Sequence, residues 1–205
     1  TIFEKTHELG GVFVAAASPS FKEADRALLE WYKRELEKYP NITVKFDTEI
    51  KCENCLSKQG KFDDVIIATG SRPKQALKNI LGYEKSCDAI DYLSGKVDVG
   101  NSPIIVGGGL SGCEIAYDLC LKGKHPSIIE AKNDLIAQKG VCLANSSYLR
   151  EYFELHKTPV YLEHSLVEIK DDGVVVADKD HHTEFVKGSK VIVAIGYKPA
   201  PVFEE

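Results

Sequence analysis

One run, SPIIVGGGLSGCEIAYDLCLKGKHPSIIE at 102–130, limits the folds open to this chain more than any other feature. Its "PIIV" is a short apolar stretch suited to a buried parallel strand. Gly107, Gly109 and Gly112 follow in a G-x-G-x-x-G pattern. The next segment places Ile115, Ala116, Leu119 and Cys120 on one helical face, and Gly123 follows as a stop. "SIIE" reads as the second strand, with Glu130 at its tip. Strand, glycine turn, helix and strand in this order predict an α/β domain on a parallel sheet.

The chemistry of these positions fits a dinucleotide. The first glycine permits a tight strand-to-helix turn, the second lets backbone approach a pyrophosphate, and the third lets helix and strand pack closely. Leu110 and Ser111, with Gly107, Gly109 and Gly112, then offer helix N-terminal amides and the positive dipole end to the phosphates. Glu130 lies 23 residues after Gly107, near the ~20-residue separation expected of a ribose-binding carboxylate. A carboxylate there repels a 2′-phosphate, so NAD(H) is preferred over NADP(H), with Lys132 close enough to soften the preference. Glu114, early in the helix, also suits a residue stabilised by the helix dipole.

The chain also contains its own comparison. "TIFEKTHEL" (1–9) matches "SIIEAKNDL" (127–135), and "VIIATGSRP" (65–73) matches "VIVAIGYKP" (191–199), both 126 positions apart. Between them, 34–50 resembles 152–169 at a slightly shorter offset, a loop-length change. Two related α/β units are therefore expected. On that reading Glu4 is the ribose-binding acid of a second dinucleotide site, and the glycine fingerprint, first strand and first helix of that unit are expected upstream of Thr1.

Two dinucleotide units joined through "VIIATGSRP" resemble the flavin- and pyridine-nucleotide-dependent oxidoreductases. "ATG" (Ala68 to Gly70) and "AIG" (Ala194 to Gly196) are similar to the strand-end motif at which that family's chain crosses between units. The segments ELGGVFVAAASPSFKEADRALLEWYKRELEK, GKVDVGNSPIIVGGGLSGCEIA and VIVAIGYKP resemble one branch, the C-terminal half of the 2-enoate reductase and bacterial 2,4-dienoyl-CoA reductase group of NADH:flavin oxidoreductases. The resemblance covers nearly the whole chain.

This resemblance implies an α/β, Rossmann-like doubly wound parallel sheet with β-hairpin or meander additions: a complete NAD(P)-binding unit plus a partial FAD-binding unit. The boundaries read as a partial FAD unit at 1–75, a linker at 76–99, an NAD(P)-binding domain at 100–198 and the start of the return to the FAD unit at 199–205. Glu4, Lys5, Ala68, Thr69 and Gly70 would contact FAD in the intact parent. Glu114 and Gly196 would lie near the nicotinamide nucleotide. The parent would pass hydride from NADH to FAD, and onward through a 4Fe–4S cluster to FMN in an N-terminal barrel, to reduce an activated C=C bond. The cofactors carry that chemistry, so no side chain here is required as a catalytic acid or base.

Other features weigh less. Net charge is −5, which gives no basis for nucleic-acid or membrane partners. No apolar run spans a bilayer, no signal peptide is recognisable, and six cysteines without small-scaffold spacing suit a reducing cytoplasm. "CENC" (Cys52 to Cys55) reads as a surface hairpin after the strand ITVKFDTEI. It leaves open a dithiol or disulfide reductase, just as the glycine loop leaves open a non-catalytic nucleotide-binding module. "DKDHH" (178–182) reads as a polar hairpin turn rather than a metal site. Further expectations are a helix from Ser20 with Leu28, Leu29, Tyr32 and Leu36 as its apolar stripe, strands near 42–50 and 62–68, and a short helix in CDAIDYLSG. A helix near 146–157, a strand at 159–163, a hairpin through Gly173 and a strand at 190–195 complete the reading.

Overall fold

The computed structural model describes residues 1–200, the side chains of residues 53 and 54 excepted. Most of the expected return segment at 199–205 lies outside the described residues. In chain order the elements are β1 (Ile2–Phe3), α1 (Val12–Ala16), α2 (Glu23–Glu37), β2 (Val44–Lys45), α3 (Glu53–Ser57), β3 (Ser71–Pro73), a 3₁₀ turn (Tyr83–Lys85), β4 (Cys87–Asp88) and α4 (Ala89–Leu93). There follow β5 (Ile104–Val106), α5 (Leu110–Leu121), β6 (Ser127–Glu130), α6 (Leu143–Leu155), β7 (Val160–Leu162), β8 (Ser165–Lys170), β9 (Gly173–Ala177), β10 (Thr183–Lys187), β11 (Val191–Val193) and β12 (Tyr197–Pro199). The chain forms two compact units. One holds 1–18, 22–72 and the residues from 198 onward, and the other holds 19–21 and 73–197.

The larger unit is built on a five-stranded parallel sheet in the order β4-β11-β5-β6-β7. Strand residues alternate between two faces, and the two faces meet different partners. Ile105, Ile128 and Ile192 point to a core shared with Ile115, Ala116, Leu119, Leu149 and Phe153 of α5 and α6. Ile104, Val106, Ile129, Val191 and Val193 point the other way, to Leu166, Ile169, Val174, Val176 and Val186. Those last residues belong to the antiparallel meander β10-β9-β8. Burial on both faces explains why these strands are continuous apolar runs.

The stretch 76–99, expected as a linker, is part of this unit. Cys87–Asp88 pairs in parallel with β11 as an edge strand, Asp88 caps α4 by accepting the Asp91 N–H, and Ala89 is buried. The short length of the strand and its mixed sequence hid it from a period-two reading.

The smaller unit pairs β1 with β2 in parallel, Ile2 against Val44 and Phe3 against Lys45. The strand expected at 62–68 does not form. Val65, Ile66 and Ile67 are exposed, Ile66 by 91%. An apolar run becomes a parallel strand only between neighbouring strands, and no strand pairs with this one among the described residues. The expected stripe on α2 is only partly covered: Leu29 is buried and Leu36 half-buried, whereas Leu28 and Tyr32 are exposed. Among the described residues no helix is long and apolar enough to cross a membrane.

Asp118 on α5 is 1% exposed and carries the main buried charge of the larger unit. Its carboxylate accepts the backbone N–H and the hydroxyl of Ser20, each at 2.7 Å, and pairs with the Lys122 ammonium. Burial pushes this carboxyl up, but the Lys122 and Ser20 donors together outweigh it and hold it below the ordinary carboxylate range. Its contribution to stability is therefore complete at neutral pH and fades only as acid titrates the folded carboxyl. Asp118→Ala is expected to cost about 2–3 kcal/mol, because Ser20 donors lose a charged partner. The mutant should also lose much of the wild-type drop in stability below pH 4. Urea unfolding at pH 7 and pH 3 checks both.

Candidate functional site

The site begins where β5 ends. Gly107 has φ +114, and a Cβ there would lie 2.5 Å from the Ala194 carbonyl oxygen at the end of β11. The positive φ and the close neighbouring strand both require glycine. Gly112, in the first turn of α5, has no room for a methyl, which would overlap the Gly107 carbonyl oxygen and crowd Ile105. This glycine lets α5 lie directly on β5. Gly109 differs. It is the N-cap of α5 with ordinary φ −70, and a Cβ there would find only Gln138 Oε1, at 3.5 Å. Open space on the one glycine that packing does not require is what an incoming phosphate group needs. Leu110 and Ser111 follow as the first helical residues, their amides at the start of a 12-residue helix.

β5 is also the point where chain order reverses across the sheet, with β6 on one side and β11 on the other. Ligands of open α/β sheets settle in the crevice at such a reversal. A small cleft there is lined by Ser111 from α5, Ala194 to Gly196 after β11, and Lys74, Tyr83 and Asp88. Gly196 has φ +94 and its carbonyl accepts the Lys74 N–H at 2.9 Å. The structure thus brings Ser111 and Gly196, far apart in sequence, to one cleft.

Glu130 ends β6 as expected and turns back to the glycine loop. Its Oε2 accepts the Gly108 N–H at 2.6 Å and its Oε1 accepts the Lys132 N–H at 2.8 Å. Gly108 was not singled out in the sequence because it is the variable position of the motif. It is nonetheless confined: a Cβ would meet Leu135 Cδ2 at 2.6 Å, and its carbonyl accepts the Ile136 N–H at 2.7 Å. Arg150 on α6 fixes the same loop, donating to both carboxylate oxygens of Asp134 and to the Leu135 carbonyl.

Immediately beyond Glu130 lies a groove of about 790 Å³, lined by residues that include Lys132, Asn133, Glu163, Asp178, Lys179 and His181. Three of these come from the DKDHH turn. Asp178 there accepts the N–H groups of Asp180 and His182, so the expected hairpin turn between β9 and β10 is present. Asp178, Asp180 and His182 lie close together in this turn. Glu114 sits half-buried in the early part of α5. Burial, with the Glu130 carboxylate next in weight, pushes the neighbouring Cys113 thiol up to about 12, so Cys113 packs rather than reacts.

Glu4, Lys5, Ala68, Thr69 and Gly70 lie in the smaller unit. Their local geometry repeats that of the larger one. Glu4 Oε1 accepts the Thr6 N–H at 2.8 Å, as Glu130 Oε1 accepts that of Lys132, two residues on in each case. Gly70 has φ +68 and accepts the Ala200 N–H at 3.0 Å, matching Gly196 and Lys74. Lys5, Ala68 and Thr69 are exposed, and the Thr69 hydroxyl donates to the Ala200 carbonyl. The CENC segment departs from the hairpin expected of it. Cys52 immediately precedes α3, Cys55 lies within it, and the two are joined as a disulfide. A three-residue spacing matches one helical turn, and no glycine interrupts the chain before Gly60.

A family model described as pyridine nucleotide-disulphide oxidoreductase matches residues 4–205. Over 96% of its length the chain is 34% identical to cinnamate reductase of Clostridium sporogenes, covering 29% of that protein. Over 97% of its length it is 31% identical to NADH oxidase of Thermoanaerobacter brockii, covering 30% of it. Among solved structures, a 2-naphthoyl-CoA reductase superposes with a TM-score of 0.82 at 23% identity, over 96% of this chain and 29% of that one. The chain thus spans 29% and 30% of the lengths of these two curated relatives. The shared architecture is Rossmann-like.

Gly112→Ala is expected to destabilise the larger unit by about 1–3 kcal/mol or more through overpacking. Gly109→Ala should stay within about 0.5 kcal/mol of wild type, because its site is open. Thermal or urea unfolding of the two variants distinguishes them.

Proposed function

This chain belongs to the pyridine nucleotide-disulphide oxidoreductase family, and from that premise we propose that it is the NAD(H)-handling part of a flavin-dependent oxidoreductase. The observation that carries the reading is the pairing of Gly109, open on its outer side, with Glu130, hydrogen-bonded to the same loop. These residues fit a dinucleotide. The amides at Gly109 to Gly112 would face the pyrophosphate, and Glu130, whose oxygens retain acceptor capacity, would take the ribose hydroxyls. Gly196 and Glu114 would lie toward the nicotinamide. The larger unit is the NAD(P) domain on this reading, and the smaller unit is part of an FAD domain. Glu4, Lys5, Ala68, Thr69 and Gly70 would serve the flavin there, supported by the way Glu4 and Gly70 repeat the geometry of Glu130 and Gly196.

When bound, the nicotinamide supplies a hydride and the flavin accepts it. The chain's own residues need only bind and orient. The glycine turn and α5 fix the phosphates, Glu130 fixes the ribose, and Arg150 holds the loop over which the adenosine end would lie. Similarity to a cinnamate reductase and an NADH oxidase supports a parent that oxidises NADH and reduces an activated C=C bond of the enoate type. Electrons would pass from FAD through a 4Fe–4S cluster to FMN in a barrel elsewhere in that parent, where the C=C bond would be reduced. A cytoplasmic setting follows from the same reading.

NADH would be the preferred dinucleotide, because the Glu130 carboxylate would repel a 2′-phosphate and the groove beyond it adds Glu163 and Asp178 against Lys132 and Lys179. Calorimetric titration of the chain with each dinucleotide tests this. NADH is expected to bind at least about tenfold more tightly than NADPH, a difference of about 1.4 kcal/mol. Glu130→Gln should narrow that ratio, and Gly109→Ala should weaken both ligands without loss of fold. Equal binding of the two would remove the selectivity reading, and no binding of either would remove the site.

A further inference from the structure

Gln138 lies outside both the glycine loop and the Glu130 strand end, yet its side chain faces the same place. It sits in the connection between β6 and α6. Its Oε1 is 3.5 Å from where a Cβ on Gly109 would stand. The residue is exposed, and its carboxamide makes no hydrogen bond among the described residues. Neither packing nor an internal partner therefore accounts for its direction.

The backbone that carries Gln138 there is strained. Ile136 has φ +51, a left-handed conformation that a β-branched residue adopts only under constraint. Three constraints are present. The Ile136 N–H donates to the Gly108 carbonyl at 2.7 Å. Leu135 and Ile136 are both buried in the core shared with α5 and α6. Arg150 holds the chain just before the bend, at Asp134 and Leu135. The same Gly108 carbonyl also accepts the Cys113 thiol at 3.4 Å. The glycine loop and the bend at Ile136 are thus fastened to each other. Beyond the bend the chain leaves the core: Ala137, Gln138, Lys139 and Gly140 are all exposed. Strain of this kind persists where surrounding contacts over-determine it, and it clusters at ligand clamps.

We propose that Gln138 is a pyrophosphate-contacting residue, brought over the glycine loop by the bend at Ile136. This inference rests on the dinucleotide reading above and names a residue for it that the motif does not contain. A phosphate offers acceptors only, so the carboxamide would present Nε2 in place of the oxygen now nearest Gly109. A half-turn about the last side-chain bond exchanges the two atoms without moving the backbone. Nε2–H then donates to a non-bridging phosphate oxygen. The donor carries no charge and stands on the diphosphate that NADH and NADPH share. Gln138 therefore holds the ligand in register and takes no part in the selectivity assigned to Glu130.

Calorimetric titration of the whole chain with NADH and with NADPH tests this in wild type, Gln138→Ala and Gln138→Glu. The alanine variant is expected to bind both dinucleotides about tenfold more weakly, by the same factor for each. The glutamate variant keeps the shape but replaces the donor with a negative charge, and should bind about fivefold more weakly still. Melting temperatures should match wild type, because the side chain is exposed and unbonded. Wild-type affinity in Gln138→Glu would overturn the proposal, since a side chain acting by bulk alone does not distinguish the two. A second measurement needs no variant. Trypsin cleavage after exposed Lys139 should slow at least about fivefold in saturating NADH, with cleavage after exposed Lys96 as the reference. Unchanged cleavage at Lys139 would also overturn the contact. Failure of the wild type to bind either dinucleotide would fall on the dinucleotide reading itself and take this inference with it.

Discussion

The glycine-loop end of the larger unit depends on the absence of one atom, the Cβ of Gly112. A methyl there would overlap the Gly107 carbonyl and force α5 away from β5. With α5 displaced, its first amides would no longer lie at the end of the strand beside which Glu130 projects. The contacts downstream follow from that seating. Gly108 can donate to Glu130 only because the loop is drawn tight over the sheet, and the loop carrying Leu135 and Ile136 closes against the carbonyl of Gly108. The N-terminus of α5 is therefore placed by van der Waals contact first, and hydrogen bonds then fix the loop around it.

Much of this was legible because glycine spacing and apolar runs express local geometry directly. G-x-G-x-x-G after an apolar strand dictates a turn and a helix, and Glu130 at a strand tip has few places to go. The 126-residue offset was equally informative, since Glu4 and Glu130 accept the amide two residues on in each unit. What the sequence did not reveal depends on neighbours. VIIATG has the composition of a strand, but a strand is a property of a pair, and this one has no partner among the described residues. Cys87–Asp88 has no strand signature, and becomes one because β11 lies beside it. The CENC segment was misread for a related reason: polar composition suggested a turn, whereas the spacing of the two cysteines already matched a helical turn.

The two faces of the parallel sheet divide the work. Helices α5 and α6 pack on one face, and α5 presents its N-terminus to the cleft. The meander on the other face contributes Val174, Val176 and Val186 to a second core, and its β9–β10 turn lines the groove beyond Glu130. The glycine-loop end of the candidate site is thus tied to helix packing and the groove end to the meander turn. Substitutions in that turn can alter the groove without disturbing the seat of α5.

The larger unit is not one continuous stretch of chain. Residues 19–21 belong to it, although the rest begins at Pro73. Ser20 supplies two of the hydrogen bonds that satisfy buried Asp118, and the Phe21 ring packs edge-on against Tyr117 with centroids 5.0 Å apart. During synthesis those three residues emerge nearly a hundred positions before the helix they complete, so α5 cannot reach its final packing on its own local sequence. A gene fragment starting at Pro73 would contain every strand of the parallel sheet and still leave a carboxylate in the interior short of two donors. Excising the larger unit therefore calls for a cut upstream of Pro19, well before the point a sequence boundary would suggest.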